Sequence, residues 1–311
     1  MTSRPRISVV IPAYNCAPYL PAALDSVLAQ TLAAHEVLVI DDGSTDDTPA
    51  VLARYAGRVT VVRQPNAGET AARNRALEVA TGELVAVLDA DDVAAPTRLA
   101  RQAEELANAP AAVMCLSGFW RFDDTGRLAE FPPAPEAATA GPVDFWTRAI
   151  AVGGTLMFDR RRAAGLRYPP GVTTGGDLLF LGMLRSRGGC VLAREPLYGY
   201  RVRPGSASLS HTWEQAIGQR LAWVRAHGRE FVPAVIDLER EFWSALARDL
   251  GRPYWLRDRA GFLELRAYLR RHWPAGVPWA PELRWKWYPD WAWAAKEVVS
   301  RLVRAGRGGA R

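Results

Sequence analysis

The chain has 311 residues, 49% hydrophobic and 23% charged, with a mean hydropathy of −0.10. That balance excludes a disordered chain and a polytopic membrane protein, and the length suits one large α/β domain with an appendage. The net charge is +6, and Lys286 and Lys296 are the only lysines among 39 basic residues. Such an excess favours an acidic partner, a phosphorylated substrate or an anionic surface, while no recognition motif supports nucleic acid.

No run approaches the 18 or more apolar residues of a membrane span, and the opening residues Met1 to Arg6 lead into a strand pattern rather than a signal-peptide core. The expected location is the cytoplasm. Cys16, Cys115 and Cys190 lie far apart, as do the four histidines, so neither a disulfide framework nor a zinc site is expected.

Ile7 to Ile11 is a continuous apolar run, the pattern of a strand buried on both faces. A helix is expected from Tyr19 to Gln30, with Leu20, Leu24, Val27 and Leu28 on one side. Val37 to Ile40, Val59 to Val62 and Leu84 to Leu88 read as further strands, and Asp46-Asp47-Thr48-Pro49 opens the helix between the second and third. This alternation implies a parallel sheet covered by helices, with ligands at the carboxyl ends of its strands. Phe131 to Pro142 reads as a loop, and regular patterning resumes near Asp144 and runs to about Ser210. Residues 212–311 read as helical with proline interruptions, and six of the twelve tryptophans follow residue 272. A helix over Trp291 to Ala305 would set Trp291, Ala295, Val298, Leu302 and Ala305 against Lys296, Glu297, Ser300, Arg301 and Arg304. Two readings stand for it: a lid packed on the protein, or an interfacial segment resting on anionic lipid near a lipid-linked acceptor.

The early strands end in polar clusters: Pro12-Ala13-Tyr14-Asn15, Asp41-Asp42-Gly43-Ser44 and Asp89-Ala90-Asp91-Asp92. A parallel sheet brings these ends to one rim, where crowded carboxylates call for a cation or a donor-rich ligand. Helix capping is the simpler use of such residues, and Asp92 suits that role.

The segments Ser8 to Asn15, Val39 to Asp46, Asn66-Ala67-Gly68, Ala72-Arg73-Asn74, Gly82 to Asp92 and Glu195 to Arg201 together resemble the family 2 glycosyltransferases over roughly residues 6–210. The resemblance implies a GT-A fold: a mostly parallel sheet flanked by helices. It would occupy residues 1–211, with a nucleotide-sugar half to about 118 and an acceptor half from about 119. A helical Trp/Arg-rich extension, 212–311, would follow. It also implies inverting transfer from a nucleotide-diphospho-sugar, UDP first, to a glycan or lipid-linked acceptor. Asp91 would ligate Mn²⁺ or Mg²⁺, ions that prefer hard oxygens. Asp89 would bind the ribose and reach the cation through water. Asp41 would accept a hydrogen bond from the base, with Asp42 beside it. Pro12, Ala13, Tyr14, Asn66, Gly68 and Ala90 would frame the donor, and Arg73 would neutralise phosphate unless it is merely solvated.

Inverting transfer also needs a base for the acceptor hydroxyl. The matching segment is Gly175-Gly176-Asp177, with Gly176 where the family commonly carries glutamate, so Asp177 is the expected base; its other reading is a helix N-cap. At Arg203 many relatives have histidine; arginine cannot ligate a cation but can clamp phosphate. Gly153-Gly154-Thr155 reads as an acceptor-cleft lining or a tight turn, and Trp120, Phe145 and Trp146 as sugar platforms or core. The rival functions are a sugar-phosphate nucleotidyltransferase, disfavoured because no Gly-rich loop follows the first strand, and a catalytically inactive nucleotide-sugar sensor or membrane-surface scaffold.

Overall fold

A computed structural model of the chain describes residues 4–147, 151–203, 213–249, 267–269 and 271–274. The elements begin β1 (Ile7–Ala13), α1 (Leu20–Leu28), β2 (Glu36–Asp41), α2 (Thr48–Ala53), β3 (Thr60–Arg63), α3 (Glu69–Val79) and β4 (Leu84–Val87). All the strands and helices expected in this stretch are present. β5 (Val93–Ala94), α4 (Arg98–Asn108), β6 (Ala112–Asp123), β7 (Gly126–Phe131), α5 (Pro142–Thr147), β8 (Met157–Asp159), α6 (Gly176–Arg185) and β9 (Gly189–Arg201) follow. Two helices come after them, α7 (Trp213–His227) and α8 (Leu238–Asp249).

The strand order β3-β2-β1-β4-β8-β6-β9-β5 makes one sheet, with β7 pairing to β6. β3, β2, β1 and β4 are mutually parallel. Beyond β4 the sheet is mixed: β8 runs antiparallel to both neighbours, whereas β6 and β9 are parallel. The continuous apolar run of β1 serves two cores. Ile7, Val9 and Ile11 pack with Leu20, Leu24 and Val27 on one face, while Val10 joins Leu38, Ile40, Ala72 and Ala76 on the other. Side chains that alternate across a strand bury both ways only when helices cover both faces.

The seam between the parallel half and β8 is fastened by Arg98, which is 1% exposed. Its Nη2 donates to the carbonyls of Val87 (2.8 Å), Gly154 (2.6 Å) and Leu156 (3.3 Å), and its Nε to Gln102 Oε1 (3.0 Å). Burial lowers the guanidinium to about 10, so it stays charged at neutral pH, lying over the Tyr198 ring at 5.3 Å. Phe145 and Trp146, the proposed sugar platforms, are instead fully buried core, with Trp146 edge-on to Trp223 and donating from Nε1 to the Leu179 carbonyl at 3.1 Å. Trp120 is half-buried, with Arg127 over its ring at 4.6 Å.

Residues to Phe242 form one compact unit and those from Trp243 a second. α7 therefore belongs with the sheet, beyond the boundary expected at 211. In the second unit Trp243 stacks on Tyr268 at 6.1 Å and meets Trp273 at 5.9 Å. The helix placed at residues 291–305, and with it the anionic-lipid reading, lies outside the described residues. No helix among the described residues is long and apolar enough to cross a membrane.

Arg98→Met keeps most of the buried alkyl volume but leaves three carbonyls without their charged donor. The expected loss is about 3 kcal/mol, read as a lower urea midpoint. A midpoint equal to wild type would show that the seam is held by packing alone.

Candidate active site at the sheet rim

β1 and β2 end side by side, with Ala13 opposite Asp41. The loop after β1 is knitted to the loop after β2. Asn15, in the left-handed region at φ 47°, accepts at Oδ1 from the Thr45 amide (2.8 Å), and the Asn15 amide donates to Ser44 Oγ (3.0 Å). Pro12 and Ala13 complete β1; Ala13 is buried and its carbonyl accepts from the Asp42 amide at 2.9 Å, while Tyr14 is 50% exposed. Asp41 is buried, accepts from the Ser44 amide at 2.9 Å and pairs with Arg63 at 3.5 Å. Asp42 turns its carboxylate to the next loop: Oδ1 accepts from Gln64 Nε2 (2.7 Å) and the Ala67 amide (3.0 Å), Oδ2 from the Gly68 amide (2.8 Å). Both oxygens are committed, so Asp42 shapes the loop that carries exposed Asn66 and leads into α3 at Gly68.

The end of β4 supplies Asp89, Ala90, Asp91 and Asp92. Asp89 Oδ1 accepts from Arg73 Nη2 at 2.7 Å, and Oδ2 from Tyr198 Oη at 3.0 Å. Arg73 is buried rather than solvated, pairs also with Glu69 at 2.6 Å, and lies over the Tyr168 ring at 5.4 Å. Burial opposes its charge; Glu69, Asp89, Tyr168 and Asp177 outweigh that and hold the guanidinium firmly protonated. Its Nε is buried without a hydrogen-bond partner. Arg73 pulls the Glu69 carboxyl down, yet desolvation with Asp89, Asp177 and Asp91 leaves it above the usual carboxylate range.

Asp92 is not a helix cap. It is 2% exposed, accepts from the Arg201 amide at 2.7 Å and makes a close contact to Tyr198 Oη. Burial first, then Asp89 and Asp91, push its carboxyl well above the usual range. A phenol has one proton, so Tyr198 satisfies both Asp89 and Asp92 when Asp92 carries a proton of its own. Ala90 is buried between these carboxylates in sequence. Asp91 is 22% exposed; its ion pair is to Arg203 Nε at 2.8 Å, and its backbone carbonyl accepts from Arg201 Nε at 2.8 Å.

Asp177 comes from α6. The N-cap of that helix is Gly175, at φ 74°, with no side-chain cap hydrogen bond, and Asp177 stands in the first turn. The N-cap reading of Asp177 therefore does not apply. It sits against the 3-10 turn Gly153–Thr155, where a Cβ at Gly153 would lie 2.6 Å from Asp177 Oδ2 and one at Gly154 only 2.0 Å from Tyr198 Oη. The double glycine, legible only as a turn or a cleft lining, is what lets a catalytic-type carboxylate and a tyrosine approach one backbone. Gly176 faces Thr70, whose Cγ2 would be 2.8 Å from a Cβ there. A larger residue at 176 would require the Thr70 side chain to shift. From α7, Gln219 Oε1 accepts from the Thr173 amide at 2.9 Å, and Arg220 packs on Gly175. Tyr168, Gln219 and Arg220 carry no recognisable local motif, and Tyr198, within the Glu195 to Arg201 segment, shows its pairing with Asp89 and Asp92 only in the three-dimensional contacts.

The structure thus gathers Asp89, Asp91, Asp177 and Glu69 within electrostatic reach of one another around Arg73, with Arg203 on Asp91. Asp41, Asp42 and Tyr14 stand at the adjoining strand ends.

A family model described as Glycosyl transferase family 2 matches residues 8–164. The chain belongs to that family. Glycosyltransferase TuaG of Bacillus subtilis is 33% identical over 218 residues, covering 68% of this chain and 85% of TuaG. YibD of Escherichia coli K12, an uncharacterised glycosyltransferase, is 35% identical over 144 residues, 45% of this chain, and the match spans only 42% of YibD. S. aureus TarS in complex with UDP-GlcNAc superimposes with a TM-score of 0.64 at 20% identity, over 86% of this chain and 78% of TarS. The mannosyltransferase PcManGT of Pyrobaculum calidifontis, in complex with GDP-Man and Mn²⁺, gives 0.57 at 22% identity over 97% and 88%. The GT-A fold expected from sequence is the fold observed, and the chain is a glycosyltransferase.

Asp42→Ala should free the Gln64–Gly68 loop. The expected cost is about 2 kcal/mol of stability, with faster amide exchange at Ala67 and Gly68. Unaltered exchange at both amides would mean the loop is held by other contacts.

Proposed function

We propose that this glycosyltransferase moves a sugar from a nucleotide-diphospho-sugar, UDP-linked in the first instance, to a hydroxyl of a glycan or lipid-linked acceptor, with inversion. Cell-surface polysaccharide synthesis is the setting that the relatives' names suggest: TuaG is named for teichuronic acid and the Rhizobium meliloti protein ExoO, 30% identical over 280 residues, for succinoglycan. The observation that carries the reading is the pairing of Asp89 with the buried Arg73, whose charge Glu69 and Asp177 also support, beside the Asp91–Arg203 ion pair.

Asp177 has the place of the base. Its carboxylate takes the proton of the acceptor hydroxyl as that oxygen forms its bond to the anomeric carbon. The bond from that carbon to the diphosphate oxygen breaks, and its electron pair leaves with the nucleotide. Packing against Gly153 fixes the carboxylate. Tyr14, Asp41 and the loop shaped by Asp42 line the base and ribose end, with Asp89 beside the ribose.

Among the described residues, no group of three or more His, Cys, Asp or Glu is placed to hold a metal ion. Mg²⁺ and Mn²⁺ are commonly held by one or two carboxylates together with substrate phosphates, so the Asp91 and Asp89 oxygens fit a cation that arrives with the donor. When bound, such an ion would neutralise charge developing on the leaving diphosphate. Arg203 and Arg201 add cationic side chains at the same end.

Asp177→Asn should lower turnover by roughly 10² to 10⁴-fold while UDP affinity barely moves. Donor hydrolysis and calorimetry on one preparation check this, and full turnover in the variant removes Asp177 from the reaction. Asp91→Asn should abolish the Mn²⁺-dependent part of UDP binding without a large change in melting temperature; unchanged UDP affinity in Mn²⁺ would overturn the assignment. Tight UDP binding with no turnover of any donor in a panel would instead favour the inactive-sensor reading.

A further inference from the structure

Arg203 occupies an unusual place. Its Nε donates to Asp91 Oδ2 at 2.8 Å, and its guanidinium lies over the Tyr19 ring at 4.9 Å. Asp91 is the carboxylate assigned above to a divalent cation. One oxygen cannot serve both at full strength, because a guanidinium at hydrogen-bond distance withdraws negative charge and repels a second cation. The pair is also free to open: Asp91 is 22% and Arg203 26% exposed, so neither is locked in the core.

Arg201, two residues earlier, shows the contrast. Its side chain is 12% exposed, its Nε donates to the Asp91 carbonyl, and its guanidinium lies 5.2 Å from the Tyr19 ring centre and 4.5 Å from that of Phe122. Arg201 is a fixed fastening. Arg203, beyond the end of β9, holds only a carboxylate and one ring face among the described residues, and both are contacts a diphosphate can replace.

We propose that Arg203 is a tethered counter-ion that competes with the divalent cation for Asp91 and transfers to the donor diphosphate when the donor binds. The proposal rests on the reading of Asp91 given above. Without nucleotide, Arg203 neutralises Asp91 and weakens cation binding. A diphosphate offers the planar guanidinium two or more acceptor oxygens, a better match than one carboxylate oxygen. Its departure frees Asp91, so donor and cation strengthen each other's binding, and by linkage they do so equally. A histidine at this position, as in many relatives, would not carry a permanent positive charge.

The test titrates Mn²⁺ alone, followed by the paramagnetic resonance of the free ion, into the full chain as wild type, Arg203→Ala and Arg203→Lys. UDP is then titrated with and without Mn²⁺. Arg203→Ala should bind Mn²⁺ about tenfold more tightly in the absence of nucleotide, with Arg203→Lys between it and wild type. UDP should bind Arg203→Ala more weakly in chelator, and the factor by which UDP strengthens Mn²⁺ binding should shrink. Mn²⁺ affinity that is unchanged or weaker in Arg203→Ala, with normal Mn²⁺-dependent UDP binding in wild type, overturns the proposal and leaves the reading of Asp91 standing. UDP binding indifferent to Mn²⁺ in every protein, wild type included, takes both down. Melting temperatures establish that the variants are folded, and if Arg203→Ala is not, Arg203→Lys must move Mn²⁺ affinity in the same direction.

Discussion

The ends of β2 and β4 force acidic side chains onto one rim of the sheet, and the buried guanidinium of Arg73 makes the crowding at β4 tolerable. Asp89 and Glu69 are paired to it directly, and Asp177 feels it across the site. Taking a cation out of water costs several kcal/mol unless its partners are charged and close. Here the carboxylates and the arginine each supply what the other's burial demands. The arrangement also explains the small residues behind it: Ala72 and Ala76, nearly inaccessible on α3, let that helix lie close enough to β1 and β2 for Arg73 to reach β4's end.

The same helix ties the end of β4 to the segment that leads into α6. Asn74 follows Arg73 and exchanges two hydrogen bonds with the backbone of Tyr168, at 2.7 and 2.8 Å. Tyr168 stacks on Phe180 of α6 at 4.0 Å, under the same Arg73. A chain of contacts therefore runs from Asp89 through Arg73 and Tyr168 to the helix that presents Asp177. Its members are side chains with restricted rotamers, which is what holding two reacting groups in register requires.

The parallel half of the fold was legible because its signal is local. Apolar runs such as Ile7 to Ile11, a proline at the start of α2 and acidic strand ends are readable within a few residues. The mixed half was not, because β8 is three residues long and its direction is fixed by partners far away in the chain. Asp92 looked like a cap because its neighbours are helix-opening residues; its burial depends on Tyr198 and Arg201, more than a hundred residues later. For Phe145 and Trp146 the sequence left sugar platform and core equally open, and only their burial decides for core. The boundary at 211 followed a change in composition, whereas α7 is tied to α5 and to the loop before α6 by Arg220, Trp223 and Gln219, contacts that composition averages away.

Two departures from the family pattern fall at opposite ends of the site and have different physical consequences. Gly176 lies beside Thr70 at the start of α6, so Asp177 has no acidic neighbour in the preceding position. Arg203 lies at the leaving-group end, where an always-charged guanidinium replaces a group that titrates near neutrality. Both changes move in one direction. Position 176 loses a negative charge and position 203 gains a permanent positive one, so under the proposed reading the site better suits a diphosphate whose charge builds as the glycosidic bond breaks.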